Sequence, residues 1–258
     1  MTTGTHERRN ILRLAVAAGL AVVLVGISGC RHRRSAQLPP PQALPPAYAP
    51  PPPAQIPATP VPPGGVTAAD LEYVATHQPI LSEVGYATWY TAPYGRRAAD
   101  GELFNNYAMT AANRTLPMGS LITVTNLETG QTGAMRITDR GPFVRGRIVD
   151  LTIAAAEATG VYRAGIARVR LDVYRTPKPI YIGGRWCVQI GAFHSERVAI
   201  RYERRLKRKY PEANVIEFAG ERSYWVRIRP EGDSRAMAVY LAYNLRPPEG
   251  QAFLTRLN

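Results

Sequence analysis

The chain has 258 residues, with 32 Lys and Arg against 19 Asp and Glu, a formal net charge of +13, and two cysteines. Cys30 and Cys187 lie in unlike contexts, which excludes a disulfide framework or a cysteine-based structural metal site, and the length allows one large domain or two small ones. The charge gathers towards the C-terminus: from Lys178 onward 15 basic residues stand against 8 acidic ones, +7, while Glu83 to Arg175 carries 11 against 8, +3, so the last part of the chain suits an anionic surface or polymer.

The first stretch reads as delivery apparatus. Arg8, Arg9 and Arg13 precede an apolar run, Leu14 to Ile27, that is too short for a comfortable transmembrane helix and fits a secretory signal. It ends in Ile27-Ser28-Gly29-Cys30, small residues before a cysteine as in a bacterial lipobox, so residues 1–29 are expected to be removed and Cys30 lipidated. Arg31 after the cysteine favours the outer membrane over the inner one, with the protein facing the periplasm. Thirteen prolines between Pro39 and Pro63 remove too many backbone donors for helix or sheet. A polyproline II tether is expected there, about 3.1 Å per residue and on the order of 100 Å when extended. With a short helix at Thr67–Gln78, this segment fills residues 30–82.

Residues 83–176 read as short strands between Gly, Pro and Asn turns. The expected strands are Gly85–Tyr90, Leu121–Asn126, Gly133–Thr138, Ile148–Leu151 and Ala167–Tyr174, with a helix at Ile153–Thr159 capped by Thr152 and stopped by Gly160. Alternation is clear in Ile122/Val124 against Thr123/Thr125, and in Val169/Leu171/Val173 against Arg168/Arg170/Asp172. A small closed β-barrel fits. Residues 180–258 follow another pattern: strand Trp186–Ala192, a helix started by Ser195 with an inward stripe of Val198, Tyr202 and Leu206, strands Val215–Ala219 and Tyr224–Arg229, a helix near Ser234–Leu245, and a strand near Phe253–Leu257. The order βαββαβ gives a four-stranded antiparallel sheet with both helices on one face and the other face open. Gln189, Trp225 and Arg227 fall on that second face by alternation, and Cys187 is expected to be a buried, inert thiol.

Two carboxylates sit in glycine-flanked loops of the barrel, Glu102 in Ala99-Asp100-Gly101-Glu102 and Asp139 in Thr138-Asp139-Arg140-Gly141-Pro142. Paired carboxylates are the minimum equipment for acid–base work on a glycosidic bond. The runs Gly85-Tyr86-Ala87-Thr88-Trp89-Tyr90, Asp100-Gly101-Glu102-Leu103-Phe104, Met109-Thr110-Ala111-Ala112, Arg114-Thr115-Leu116-Pro117-Met118-Gly119, Thr138-Asp139-Arg140-Gly141-Pro142-Phe143 and Gly146-Arg147-Ile148-Val149-Asp150-Leu151 resemble the rare lipoprotein A family of septal-ring lytic transglycosylases. Trp186-Cys187-Val188-Gln189-Ile190-Gly191-Ala192-Phe193 resembles the start of a SPOR domain. The resemblance implies a mainly β fold, a six-stranded double-psi β-barrel of the kind shared with expansins, followed by a small α+β SPOR domain.

It also implies an activity: cleavage of the MurNAc–GlcNAc bond of peptidoglycan strands lacking stem peptides, with the muramic 6-hydroxyl as nucleophile and a 1,6-anhydro end as product. One group must give a proton to the leaving oxygen and take one from the hydroxyl. By position in the matched motifs this is Glu102, with Asp139 as the second carboxylate. Asn113 stands where many members carry histidine; it can hydrogen-bond sugar or orient Glu102 but cannot titrate. The other departure is Arg229-Pro230-Glu231-Gly232, where the SPOR pattern has glycine-proline-phenylalanine. Tyr90 is expected to stack on a sugar ring, and Gln189, Trp225 and Arg227 to hold glycan on the SPOR sheet. No cofactor or metal is expected. The expected partners are denuded glycan strands, a membrane through the lipid on Cys30, and division-machinery proteins. A sheet with aromatic and basic residues also suits RNA, which export excludes; a non-catalytic, expansin-like wall-binding lipoprotein is the alternative function.

Overall fold

The computed structural model describes residues 65–219 and 223–258, all within one contiguous unit, Pro51–Asn258; Cys30 and the proline-rich tether lie outside the described residues. The first element is α1 (Ala68–Thr76). Thr67 Oγ1 accepts from the Asp70 amide at 3.2 Å and the Asp70 carboxylate accepts from the Thr67 amide at 3.0 Å, a reciprocal cap that fixes where the helix begins. Asp70 then reaches the barrel, taking both oxygens to Arg136 Nη2 at 2.7 Å and Oδ1 to Arg175 Nη2 at 2.8 Å.

Six strands close the barrel: β1 (Leu81–Trp89), β2 (Thr110–Ala112), β3 (Leu121–Asn126), β4 (Thr132–Asp139), β5 (Arg147–Leu151) and β6 (Ile166–Arg175), in the order β1-β5-β2-β4-β3-β6. β1 with β5 and β2 with β4 run parallel; the other pairs are antiparallel. The alternation in β3 and β6 sends Ile122, Val124, Val169, Leu171 and Val173 into the core with Met135, Ile137, Val149 and Leu151, each worth about 1.5–3 kcal/mol when fully buried. Two short helices, α2 (Ile153–Ala158) and α3 (Val161–Ala164), cover one end.

Sequence reading locates five of these strands and misses β2. Three residues are too few to show a period, and all three are buried. Thr152 occupies the cap position of α2 without capping it; its hydroxyl donates to the carbonyls of Ala108 and Thr110, tying the helix start to β2. Nor is the outer side of β3 free, because α1 brings Val74 over Leu121 and Ala134.

The C-terminal part comprises β7 (Trp186–Phe193), α4 (Glu196–Lys209), β8 (Asn214–Ala219), β9 (Tyr224–Arg229), α5 (Arg235–Asn244) and β10 (Gln251–Arg256), with sheet order β10-β7-β9-β8, all antiparallel. Both helices pack on one face, where Ala199, Tyr202, Leu206, Ala238 and Leu241 meet Val188, Ile190, Val226 and Ile228. The expectation of an open second face fails. Cys187 and Thr255 are 0% and 1% exposed because the barrel segment after Asp139 lies there. Phe143 stands 5.4 Å from the Trp225 ring and 5.9 Å from the Phe253 ring, Arg114 covers Phe253, and the Arg256 amide donates to the Arg114 carbonyl at 2.8 Å. Burial pushes the Cys187 thiol up to about 11, so it is inert as expected.

Candidate active site

The site is assembled where β1 and β4 end. Between them the chain makes a hairpin, Arg96 to Phe104, joined by Ala98 N to Glu102 O (2.9 Å) and Phe104 N to Arg96 O (2.9 Å). Gly101 at its tip has φ +96°, a conformation that L side chains rarely adopt. Asp100 Oδ1 accepts from the Glu102 amide at 2.9 Å, the local bond that aspartate favours in turns.

Three attachments hold this hairpin on the barrel. Ala99 N donates to Asp139 Oδ1 at 3.1 Å, Asp100 N donates to the Thr138 carbonyl at 3.0 Å, and the Phe104 ring packs on Tyr90 at 5.0 Å. Asp139 is thus the anchor. It is 4% exposed and accepts further from the Arg140 amide (2.8 Å) and the Tyr90 hydroxyl (3.2 Å), with Arg96 at 3.7 Å. Burial, then the adjacent Asp139 charge and their hydrogen bond, raise the Tyr90 phenol above its ordinary range, so it stays a donor. Glu102 differs. It is exposed, and among the described residues its carboxylate meets no donor. The two carboxylates therefore differ in setting: Asp139 is enclosed by the groups it binds, and Glu102 is exposed.

The other expected site residues fall elsewhere. Asn113 is joined to the site through its backbone, its N–H donating to the Asp139 carbonyl at 3.1 Å. Its side chain faces away: Nδ2 donates to Ile148 O at 2.9 Å, and Oδ1 accepts from the Thr115 and Leu116 amides at 2.8 and 2.9 Å. That amide holds a turn and leaves no group for Glu102. Gln189 is buried, accepting from Arg227 Nη2 at 3.1 Å, and Trp225 lies against Phe143; these three form one cluster under the barrel rather than a bare platform. Tyr90 joins Asp139 instead of presenting its ring alone. Arg96, Phe104 and Phe143 are missed by sequence reading, although all lie in or beside the matched runs; a lone arginine or phenylalanine in a loop carries no periodic signal. Arg140 donates from Nη1 to the carbonyls of Asn113 and Leu116, and burial with Arg256 nearby pushes its guanidinium down to about 10. Among the described residues no three His, Cys, Asp or Glu side chains gather to hold a metal ion.

Chemically, the arrangement offers an exposed carboxyl on a hairpin that an enclosed carboxylate holds to the barrel. Two parts of the chain are similar to known proteins. Residues 82–171 match the family model described as "Lytic transglycolase", a double-psi β-barrel domain, and residues 183–254 match the SPOR domain. A "Probable endolytic peptidoglycan transglycosylase RlpA" from Synechocystis sp. is 51% identical over 90 residues, 34% of this chain and 28% of that protein. The "Endolytic peptidoglycan transglycosylase RlpA" of Vibrio cholerae is 46% identical over 100 residues, 38% of each. That of Campylobacter jejuni is 35% identical over 148 residues, 46% of this chain and 54% of its own. The matches thus span about half the length of these relatives at most.

Proposed function

We propose, from the match of residues 82–171 to the lytic transglycolase model and of residues 183–254 to the SPOR model, that this protein is an endolytic peptidoglycan transglycosylase that cleaves the MurNAc–GlcNAc bond of glycan strands stripped of stem peptides. The observation that carries this reading is Glu102, exposed beside the tip of a hairpin that is held to buried Asp139 through the Ala99 amide. Glu102 gives its proton to the departing GlcNAc oxygen as the bond to the muramic anomeric carbon breaks. The muramic 6-hydroxyl then closes on that carbon and returns its proton to Glu102, leaving a 1,6-anhydro end and consuming no water. A strand laid over the hairpin keeps water from the reacting centre. Asp139 acts through the atoms it holds in place, namely the Ala99 amide, the Tyr90 phenol and the Arg96 guanidinium.

The SPOR module brings the barrel to the glycan, with Gln189, Trp225 and Arg227 as its contacts once the barrel segment that covers them moves aside. The protein belongs to the cell envelope, in wall organisation and daughter-cell separation with division proteins as partners. Lipid on Cys30 anchors it to the outer membrane. Among the described residues no helix is long and apolar enough to cross a membrane. The test is digestion of amidase-treated sacculi with purified protein and mass spectrometry of the released ends. Anhydro-muropeptides from wild type and none from Glu102→Gln support the proposal. Tight binding without cleavage by wild type overturns it in favour of a wall-binding protein.

A further inference from the structure

The helix-covered side of the C-terminal domain, turned away from the barrel, has two features that glycan chemistry leaves unused. On α4, Arg197, Arg201, Arg204 and Arg208 recur at intervals of four, three and four residues and so share one face. Ala199, Tyr202 and Leu206 are buried on the opposite face. All four arginines are exposed, and among the described residues none is in an ion pair; the neighbouring Glu203 is taken by Lys207 at 2.7 Å. They span about 17 Å at 1.5 Å per residue.

Beside them, α5 reads Ala236-Met237-Ala238-Val239-Tyr240-Leu241-Ala242-Tyr243 without a charge. Ala238 and Leu241 fill the core. The outward side of the same helix leaves Val239, Tyr240 and Tyr243 at 39%, 56% and 76% exposure. A helix apolar on its solvent side is out of place in water and marks an interaction surface.

We propose that this two-helix face docks on a bilayer surface rich in anionic phospholipid. Both helices rest on the same sheet face, so the arginine row and the tyrosine row are presented side by side on one surface. Guanidinium groups meet phosphates, while tyrosine rings settle at the headgroup level where one end is apolar and the other wet. A soluble polyanion would satisfy the arginines and leave the uncharged row without a partner. The proposal is independent of the catalytic reading.

The segment 65–258 contains both hydrophobic cores complete, so it serves as the soluble test protein. Its sedimentation is measured with phosphatidylcholine vesicles, with and without phosphatidylglycerol. It should bind the anionic vesicles and not the neutral ones. The variant R197Q/R201Q/R204Q/R208Q should lose roughly fivefold in binding per arginine, and Y240S/Y243S several-fold. Both should keep the thermal stability of the parent and its binding to denuded sacculi. No binding to anionic vesicles, equal binding to neutral ones, or an undiminished quadruple variant overturns the proposal. So does binding to heparin without binding to vesicles, or loss of sacculus binding in the arginine variant, which would assign the row to a soluble polyanion or to glycan.

Discussion

Phe143 of the barrel stands between Trp225 and Phe253 of the C-terminal sheet, its ring 5.4 and 5.9 Å from theirs. Three residues separate it from Asp139, so the segment that leaves Asp139 also packs against Trp225. A glycan that stacks on the side of Trp225 facing Phe143 would displace this ring. Phe143→Ala should remove about 1.5–3 kcal/mol of apolar contact. In a Glu102→Gln background, where no cleavage intervenes, binding to amidase-treated sacculi should rise by up to about tenfold, and Trp225 fluorescence should shift to the red. Binding that falls instead would mark Phe143 as part of the glycan contact.

The two carboxylates should separate in stability as well as in rate. Glu102→Gln changes an exposed side chain, so the melting temperature should stay within the scatter expected of surface substitutions, about 0.5 kcal/mol. Release of anhydro ends should fall by roughly 10²–10⁴-fold. Asp139→Asn turns an acceptor into a group with two donors facing Tyr90 and Arg96, and should lower stability by about 1–3 kcal/mol as well as turnover. Tyr90→Phe keeps the ring on Phe104 and loses one donor, so it should cost about 1 kcal/mol and impair turnover less than Asp139→Asn. Calorimetry beside the muropeptide assay checks all three.

A pH dependence follows from Asp70. Burial alone would raise its pKa, but hydrogen bonds from Thr67 and Arg136 outweigh it and hold the carboxyl below the usual range. Its folded pKa is therefore below the unfolded value of about 3.9. The stability it contributes is fully present above that unfolded pKa and is lost as pH falls through the folded one. At pH 7, Asp70→Asn should destabilise the barrel by about 1–3 kcal/mol, less than for a fully buried pair because Arg175 is half exposed. The gap between wild type and variant should close below about pH 4. A gap that persists at pH 2 would place the effect in the helix cap alone.

Anchoring is tested apart from the folded domains. Cys30→Ala should yield protein without lipid that no longer fractionates with membranes, while the purified soluble form keeps its rate on denuded sacculi. Membrane association that survives with an unmodified N-terminus would refute the lipoprotein reading.

Strands β3 and β6, the βαββαβ order and the runs around Glu102 and Asp139 are legible in the sequence because each depends on residues within one strand, one turn or one motif. Ile122/Val124 and Val169/Leu171/Val173 alternate with polar neighbours, and a period of two survives whatever the chain packs against. β2 is not legible, since three buried residues show no period. The sequence likewise determined that Glu102 and Asp139 sit in glycine-flanked loops.

Tertiary structure alone decided what those groups touch. Asp139 is enclosed because a hairpin forty residues earlier in the chain brings the Ala99 amide to Oδ1, and Glu102 is left exposed by the same hairpin. Asn113 faces Ile148 and its own turn because β5 lies beside β2. Cys187 and Gln189 fall on the predicted side of their strand, yet that side is covered, because Phe143 arrives from another domain. Alternation along a strand fixes which side a residue faces; whether that side meets water depends on surfaces that come together only when distant segments fold against one another.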